Sequence, residues 1–164
     1  MLVVADTSPI NYLVLLDHTA LLPALYTRVL LPPAVVTELQ DPEAPEAVRA
    51  WVADLPPWCE IRRSASRTGT EALGHLGEGE REAILLAQAL QADFLLIDEE
   101  DGRKAALSRA LTVTGTLGVL ERAAERGLID LPDTLARLLA TTFRVRDELI
   151  QAMLVRDAAR KRSM

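Results

Sequence analysis

The stretch Leu2-Val3-Val4-Ala5-Asp6-Thr7-Ser8-Pro9 decides the fold. Four apolar residues run into a carboxylate, and two hydroxyl residues and a proline follow. The same figure returns later, where Phe94-Leu95-Leu96-Ile97 runs into Asp98. Short apolar runs flanked by helical patterns read as buried parallel strands. In open α/β sheets, ligands bind beyond the carboxyl ends of the strands. Two acids at two such ends therefore predict one acidic pocket. Crowded carboxylates repel, and their charged forms persist together only when a cation or proton intervenes. A hard divalent ion with oxygen ligands is the natural resident.

Working outward, Ser8 and Pro9 read as an N-cap and a first helical position, with a helix over residues 10–16. A second helical piece covers residues 19–26, limited or kinked by Pro23. Residues 28–31 read as a strand, and Pro32-Pro33 opens a helix over residues 34–39. An amphipathic helix over residues 46–55 and a strand over 58–61 come next. The polar, glycine-containing stretch 62–77 reads as the main loop, with one helical turn around 71–75. Residues 78–91 form the clearest helix, with Ala83, Leu86, Ala87 and Leu90 on one stripe. A strand over 93–97, a helix over 102–110, a strand over 111–113 and a helix over 116–126 follow, the last closed by Gly127. Helices over 132–140 and 145–160 end the chain. This alternation predicts an α/β fold with a parallel sheet and right-handed crossovers. The length of 164 residues fits one domain.

Bulk properties narrow the function. Hydrophobic residues are 49% and charged residues 26%, a globular balance. Aromatics are 4%, so Leu, Val, Ile and Ala must build the core. The net charge of −6 argues against gripping nucleic acid over the whole surface. It leaves room for a nuclease with metal ions and a local basic strip. The single Cys59 has no internal partner, which fits a reducing cytosol, and we expect a cytoplasmic protein. No apolar stretch is long enough for a membrane span.

Acids fall in four segments: Asp6; Glu38; Glu78, Glu80 and Glu82; and Asp98, Glu99 and Asp101. Each has a bland reading as a cap or a solvated helix residue. The two strand-end acids together favour a shared site. Residues two apart do not face each other on a helix. Glu80 and Glu82 therefore flank the apolar stripe on opposite sides, and periodicity leaves open which one faces an ion. His18 and His75 read as lone surface residues. Arg103, Lys104 and Arg109 follow the Asp98 turn, and of these Arg103 and Lys104 are the candidates for RNA contact, because phosphate contacts position a backbone for cleavage. The basic C-terminal end reads as a solvated helix face.

The pieces Val3-Val4-Ala5-Asp6-Thr7-Ser8-Pro9, Val35-Val36-Thr37-Glu38-Leu39, Gly79-Glu80-Arg81-Glu82-Ala83-Ile84-Leu85-Leu86-Ala87, Leu95-Leu96-Ile97-Asp98-Glu99 with Gly102-Arg103, and Thr112-Val113-Thr114-Gly115-Thr116-Leu117-Gly118 occur in that order. The ordered set resembles the PIN-domain family, within it the PilT-like and VapC-like proteins of prokaryotes. The resemblance implies a three-layer α/β/α fold with a central, mainly parallel sheet, one domain over 1–164 and C-terminal helices from about 132. It implies a ribonuclease that uses Mg²⁺ or Mn²⁺ to hydrolyse RNA with metal-activated water. It places the family's acids on Asp6, Glu38, Glu82 and Asp98, with Glu80 and Glu99 as alternates and Ser8 in support. Many family members have threonine where Asp98 stands. The implied partners are RNA, a small antitoxin, should the chain be a toxin, and a second copy. Tyr12, Leu13 and Leu16 are interface candidates that fit the core equally well.

Carboxylates suit Mg²⁺ or Mn²⁺, and no Cys or His cluster is present for zinc. Such an ion can activate water and polarise the scissile phosphate. Two other readings compete. Haloacid-dehalogenase-like phosphatases also place a nucleophilic aspartate after the first strand, which would be Asp6. They need an acid two residues on, where this chain has Ser8. A catalytically degenerate RNA-binding or assembly module is the other, and acids in all four segments speak against it.

Overall fold

Runs of Val, Leu and Ala with polar residues only at their ends can be buried on both faces, as the middle of a parallel sheet demands. The computed structural model describes residues 1–65 and 70–164 and forms two compact units, 1–116 and 117–164. The first holds a five-stranded, all-parallel sheet in the order β3-β2-β1-β4-β5. Its strands are β1 (Leu2–Ala5), β2 (Arg28–Leu31), β3 (Cys59–Ile61), β4 (Phe94–Leu96) and β5 (Val113–Thr114). Between them run α1 (Thr7–Leu15), α2 (Leu21–Leu25), α3 (Pro33–Leu39), α4 (Glu46–Ala53), a 3-10 turn (Thr70–Leu73), α5 (Glu78–Leu90) and α6 (Glu100–Ser108). This is the expected α/β fold.

The central strands are the most buried. Val3, Val4, Ala5, Leu30, Leu31 and Leu96 are fully enclosed. Val4, Leu30, Leu95 and Ile97 pack with Ala83, Ile84 and Leu86 of α5 and with Ala106 of α6. The chain leaves β1 toward β2 and β3 on one side, then returns to lay β4 and β5 on the other. The strand order thus reverses between β1 and β4, the topological switch point where such sheets bind ligands. Register puts Ala5 opposite Leu96, so Asp6 and Asp98 emerge at neighbouring strand ends. The Asp6 N–H extends the ladder to the Leu96 carbonyl at 2.8 Å.

Element ends shift in places. The first helix starts at Thr7 with Asp6 in the N-cap position, three residues before the expected start. Pro9 is tolerated because the N–H groups of a first helical turn have no intrahelical acceptor. Helix α6 starts two residues early, at Glu100, where Glu100 and Asp101 favour the positive end of the helix dipole. Of the expected loop 62–77, residues 66–69 lie outside the described residues, and the turn expected at 71–75 is the 3-10 turn Thr70–Leu73. Leu13 and Leu16 are core residues, which removes them as exposed interface candidates.

The second unit holds the body of α7 (Thr116–Glu125), α8 (Leu131–Leu139) and α9 (Asp147–Arg162). Gly127 takes a left-handed φ of 72° just past α7, as its placement in the sequence predicts. Asp130 caps α8, its carboxylate accepting from the Asp133 N–H at 3.0 Å. Among the described residues no helix is long and apolar enough to cross a membrane.

Candidate active site

The end of β1 delivers Asp6 to the switch point, with only 5% of its surface exposed. Although it occupies the N-cap position, its side chain makes no capping hydrogen bond. Oδ1 is buried and, among the described residues, has no hydrogen-bond partner. Burial pushes the carboxyl up to about 7; the Thr7 backbone N–H offsets part of this, and the charges of Glu80, Glu38 and Asp98 add to it. Those three acids surround Asp6 from three other segments.

Glu38 comes from the end of α3. Its carboxylate accepts from the Thr7 hydroxyl and from the Gly79 N–H, the latter at 3.2 Å. Glu80 stands in the first turn of α5. Its carboxyl is also raised, first by burial, then by the charges of Glu99, Glu38 and Asp101, with His75 acting the other way. Asp98 follows β4. Both of its oxygens are committed: Oδ1 accepts from the Thr116 N–H and Oδ2 from the Thr116 hydroxyl, each at 2.7 Å. Burial raises the Asp98 carboxyl, while the Thr116 hydrogen bonds and Arg103 oppose the rise.

Three glycines give these acids room. A Cβ on Gly79 would lie 2.5 Å from a Glu38 oxygen, and one on Gly115 would lie 2.5 Å from Asp98 Oδ1. A Cβ on Gly102 would meet Ile97 at 2.5 Å and Glu80 Oε2 at 3.2 Å. The sequence carries a trace of this, since glycine inside a helical pattern needs a packing reason. The sequence held these glycines, Thr7 and Thr116 within the family-like pieces, but gave no role to the glycines as space for the acids or to the threonines as hydrogen-bond donors.

The other expected site residues fall as follows. Glu82 turns to α3, where its Oε1 accepts from the Ala34 N–H at 3.0 Å and satisfies an orphan donor of that helix start. Glu82 and Glu38 do share the wall of a cleft of about 240 Å³ with Arg63 and Glu78. Glu99 is exposed at the N-cap of α6, within the field felt by Glu80. Ser8 sits at the second position of α1. Arg103 turns inward, donating from Nη1 to the Ile97 carbonyl at 2.9 Å. Lys104 faces solvent and pairs with Glu100 at 3.2 Å.

Among the described residues, no three His, Cys, Asp or Glu side chains meet at the spacing of a preformed metal cage. The acids form a looser patch. Its chemistry nevertheless fits a hard divalent cation: every donor is an oxygen, and the buried, unpartnered Asp6 Oδ1 needs a positive partner to stay charged.

Comparison with known proteins agrees with the fold. A solved PilT N-terminus domain protein from the archaeon Sulfolobus solfataricus P2 superimposes with a TM-score of 0.50. The two are 13% identical, and the match covers 89% of this chain and 100% of that one, a likeness of fold. No curated protein matches the chain. The family model described as PIN domain matches residues 2–158. With its acids gathered at the switch point of a parallel sheet, the chain belongs to the PIN-domain family, whose members are typically nucleases.

Proposed function

We propose that the protein is a Mg²⁺- or Mn²⁺-dependent ribonuclease that acts through the patch around Asp6, with residues 1–164 working as one nuclease domain. The observation that carries this reading is the buried, unpaired Asp6 Oδ1 facing acids from three other segments. Asp6, Glu38 and Glu80 are the acids we assign to the ion. Asp98 and Glu99 are its nearest auxiliaries, and Glu82 is ranked behind Glu80 because it caps α3. When bound, the ion would polarise the scissile phosphate and activate water.

The chain's own groups prepare that chemistry. The Thr7 hydroxyl and Gly79 N–H fix the Glu38 carboxylate, and Thr116 fixes Asp98. Asp6, raised to about 7, holds a proton in a large share of molecules near neutrality. Asp6 would have to give up that proton to hold a cation, so metal affinity is expected to rise with pH through this range. The walls that bury Asp6 exclude water from its Oδ1 side and strengthen every charge interaction there.

The same reading includes a cytoplasmic location, a homodimer and, as toxin, a small antitoxin partner; a short basic or DNA-binding frame next to the gene would support the last. Family membership leaves the phosphatase reading without support. Acids retained in all four segments oppose the degenerate module. The test is cleavage of single-stranded RNA by purified protein in Mg²⁺ or Mn²⁺, with calorimetric titration of Mn²⁺ alongside. We expect cleavage that chelator abolishes and a measurable heat of binding. Absence of both would sink the assignment.

A further inference from the structure

A cleft of about 510 Å³ opens between α6 and the segment from the 3-10 turn to His75, lined among others by His75, Asp101, Lys104, Ser108 and Arg109. It is separate from the acid patch but borders it. His75 and Asp101 both line the cleft, and both act electrostatically on Glu80. The cleft thus lies beside Glu80, and its lining adds two basic groups, Lys104 and Arg109. Lys104 and Arg109 lie five residues apart on α6 and its C-cap. Arg109 is steadied by Gln88 of α5, which accepts from Nη1 at 2.9 Å. The Lys104 side chain is 70% exposed and makes a solvent-facing pair with Glu100. Surface pairs of that kind contribute little and yield readily to another anion.

We infer that this cleft receives a backbone phosphate of the single-stranded nucleic acid flanking the scissile bond, with Lys104 and Arg109 as its contacts. The inference rests on the nuclease reading and adds the path of the strand to it. A polyanion cannot lie on the acid patch without a compensating basic track, because the net charge of −6 repels it elsewhere. The cleft's volume suits a ligand of nucleotide size. Arg103, the sequence's other candidate, is committed to the Ile97 carbonyl, so the basic track runs through Lys104 to Arg109 instead.

The experiment measures the binding of a short single-stranded oligoribonucleotide to the full chain by fluorescence anisotropy across a salt series. Chelator is present so that nothing is cleaved. Lys104→Ala with Arg109→Ala should weaken binding and lower the salt slope by roughly 0.7, the value for one phosphate on a single strand. Because the Arg109 change also removes the Gln88 bond, Lys104→Glu alone is measured beside it. That variant should lose at least as much affinity as a neutral change at Lys104, with an unaltered melting temperature. A wild-type slope in both variants overturns the cleft as a phosphate site. Wild-type cleavage of RNA in Mn²⁺, assayed separately, says whether the nuclease reading stands in that event.

Discussion

Two aspartates lie almost wholly out of solvent, Asp6 at 5% exposure in the sheet unit and Asp157 at 2% in the helical unit. Their surroundings differ in sign. Asp157 sits on α9 with Arg160 one turn on, and Lys161 reaches it at 2.8 Å. Burial works against its charge, but Lys161 and Arg160 outweigh it and hold the carboxyl below the usual range. Asp6 is ringed by acids, and burial first, then their charges, raise its carboxyl to about 7. The comparison teaches that burial alone does not mark a site. A buried acid whose compensation comes from its own helix is structural. One whose compensation must come from outside is poised for a ligand.

Replacing Asp6 gives the largest expected effect. Asp6→Asn should lower RNA cleavage by more than about 100-fold. It should also stabilise the protein in chelator. The folded Asp6 carboxyl keeps its proton to about pH 7, against 3.8 when unconstrained. Its favourable contribution to folding is thus complete below the unconstrained value and lost as pH rises through the folded one. The asparagine variant escapes that loss and should gain up to roughly 4 kcal/mol on the wild type over the window. Identical pH–stability curves for the two proteins would remove the special status of Asp6.

A paired substitution on α5 sharpens the comparison. Glu80→Gln should cost cleavage and Mn²⁺ affinity about 10-fold or more. Glu82→Gln should leave both within about 3-fold, because a glutamine oxygen can still accept from the Ala34 N–H. Reversed rankings would move the ion to the α3 side of the patch.

The smallest effect is expected at Asp157. Asp157→Asn should destabilise the protein by about 1 kcal/mol and leave cleavage unaltered. Its pH signature should oppose that of Asp6. The contribution is present above the ordinary carboxyl value of 3.8 and is lost as pH falls through the lowered one. Equal stability of variant and wild type at neutral pH and at pH 3, measured by chemical denaturation, would show that the Arg160–Lys161 clamp contributes nothing.

What could be read from the sequence follows from which forces are local. Strand runs ending in Asp6 and Asp98 carry their own signature, so the sheet and two acids of the patch were legible. The choice between Glu80 and Glu82 was not, because periodicity reports which stripe is apolar and not what lies opposite each flank. The Glu82 side chain is placed by Ala34, a residue of another helix with an orphan N–H. The inward contact of Arg103 was not legible for the same reason: its partner, the Ile97 carbonyl, is a strand-end group that only the tertiary fold brings within reach. Helix starts moved where Asp6 and Glu99 took N-cap positions without any side-chain capping bond to announce them.

The glycine contacts have an entropic consequence. Glu38 is pinned by two donors over Gly79, and Asp98 by two from Thr116 over Gly115, so each has surrendered its rotamer freedom on folding. Glu80 instead has room over Gly102, where a Cβ would lie 3.2 Å from its Oε2. Closing the patch around a cation then freezes mainly one long side chain, at about 1–2 kcal/mol, where an unheld set of acids would lose that much several times over.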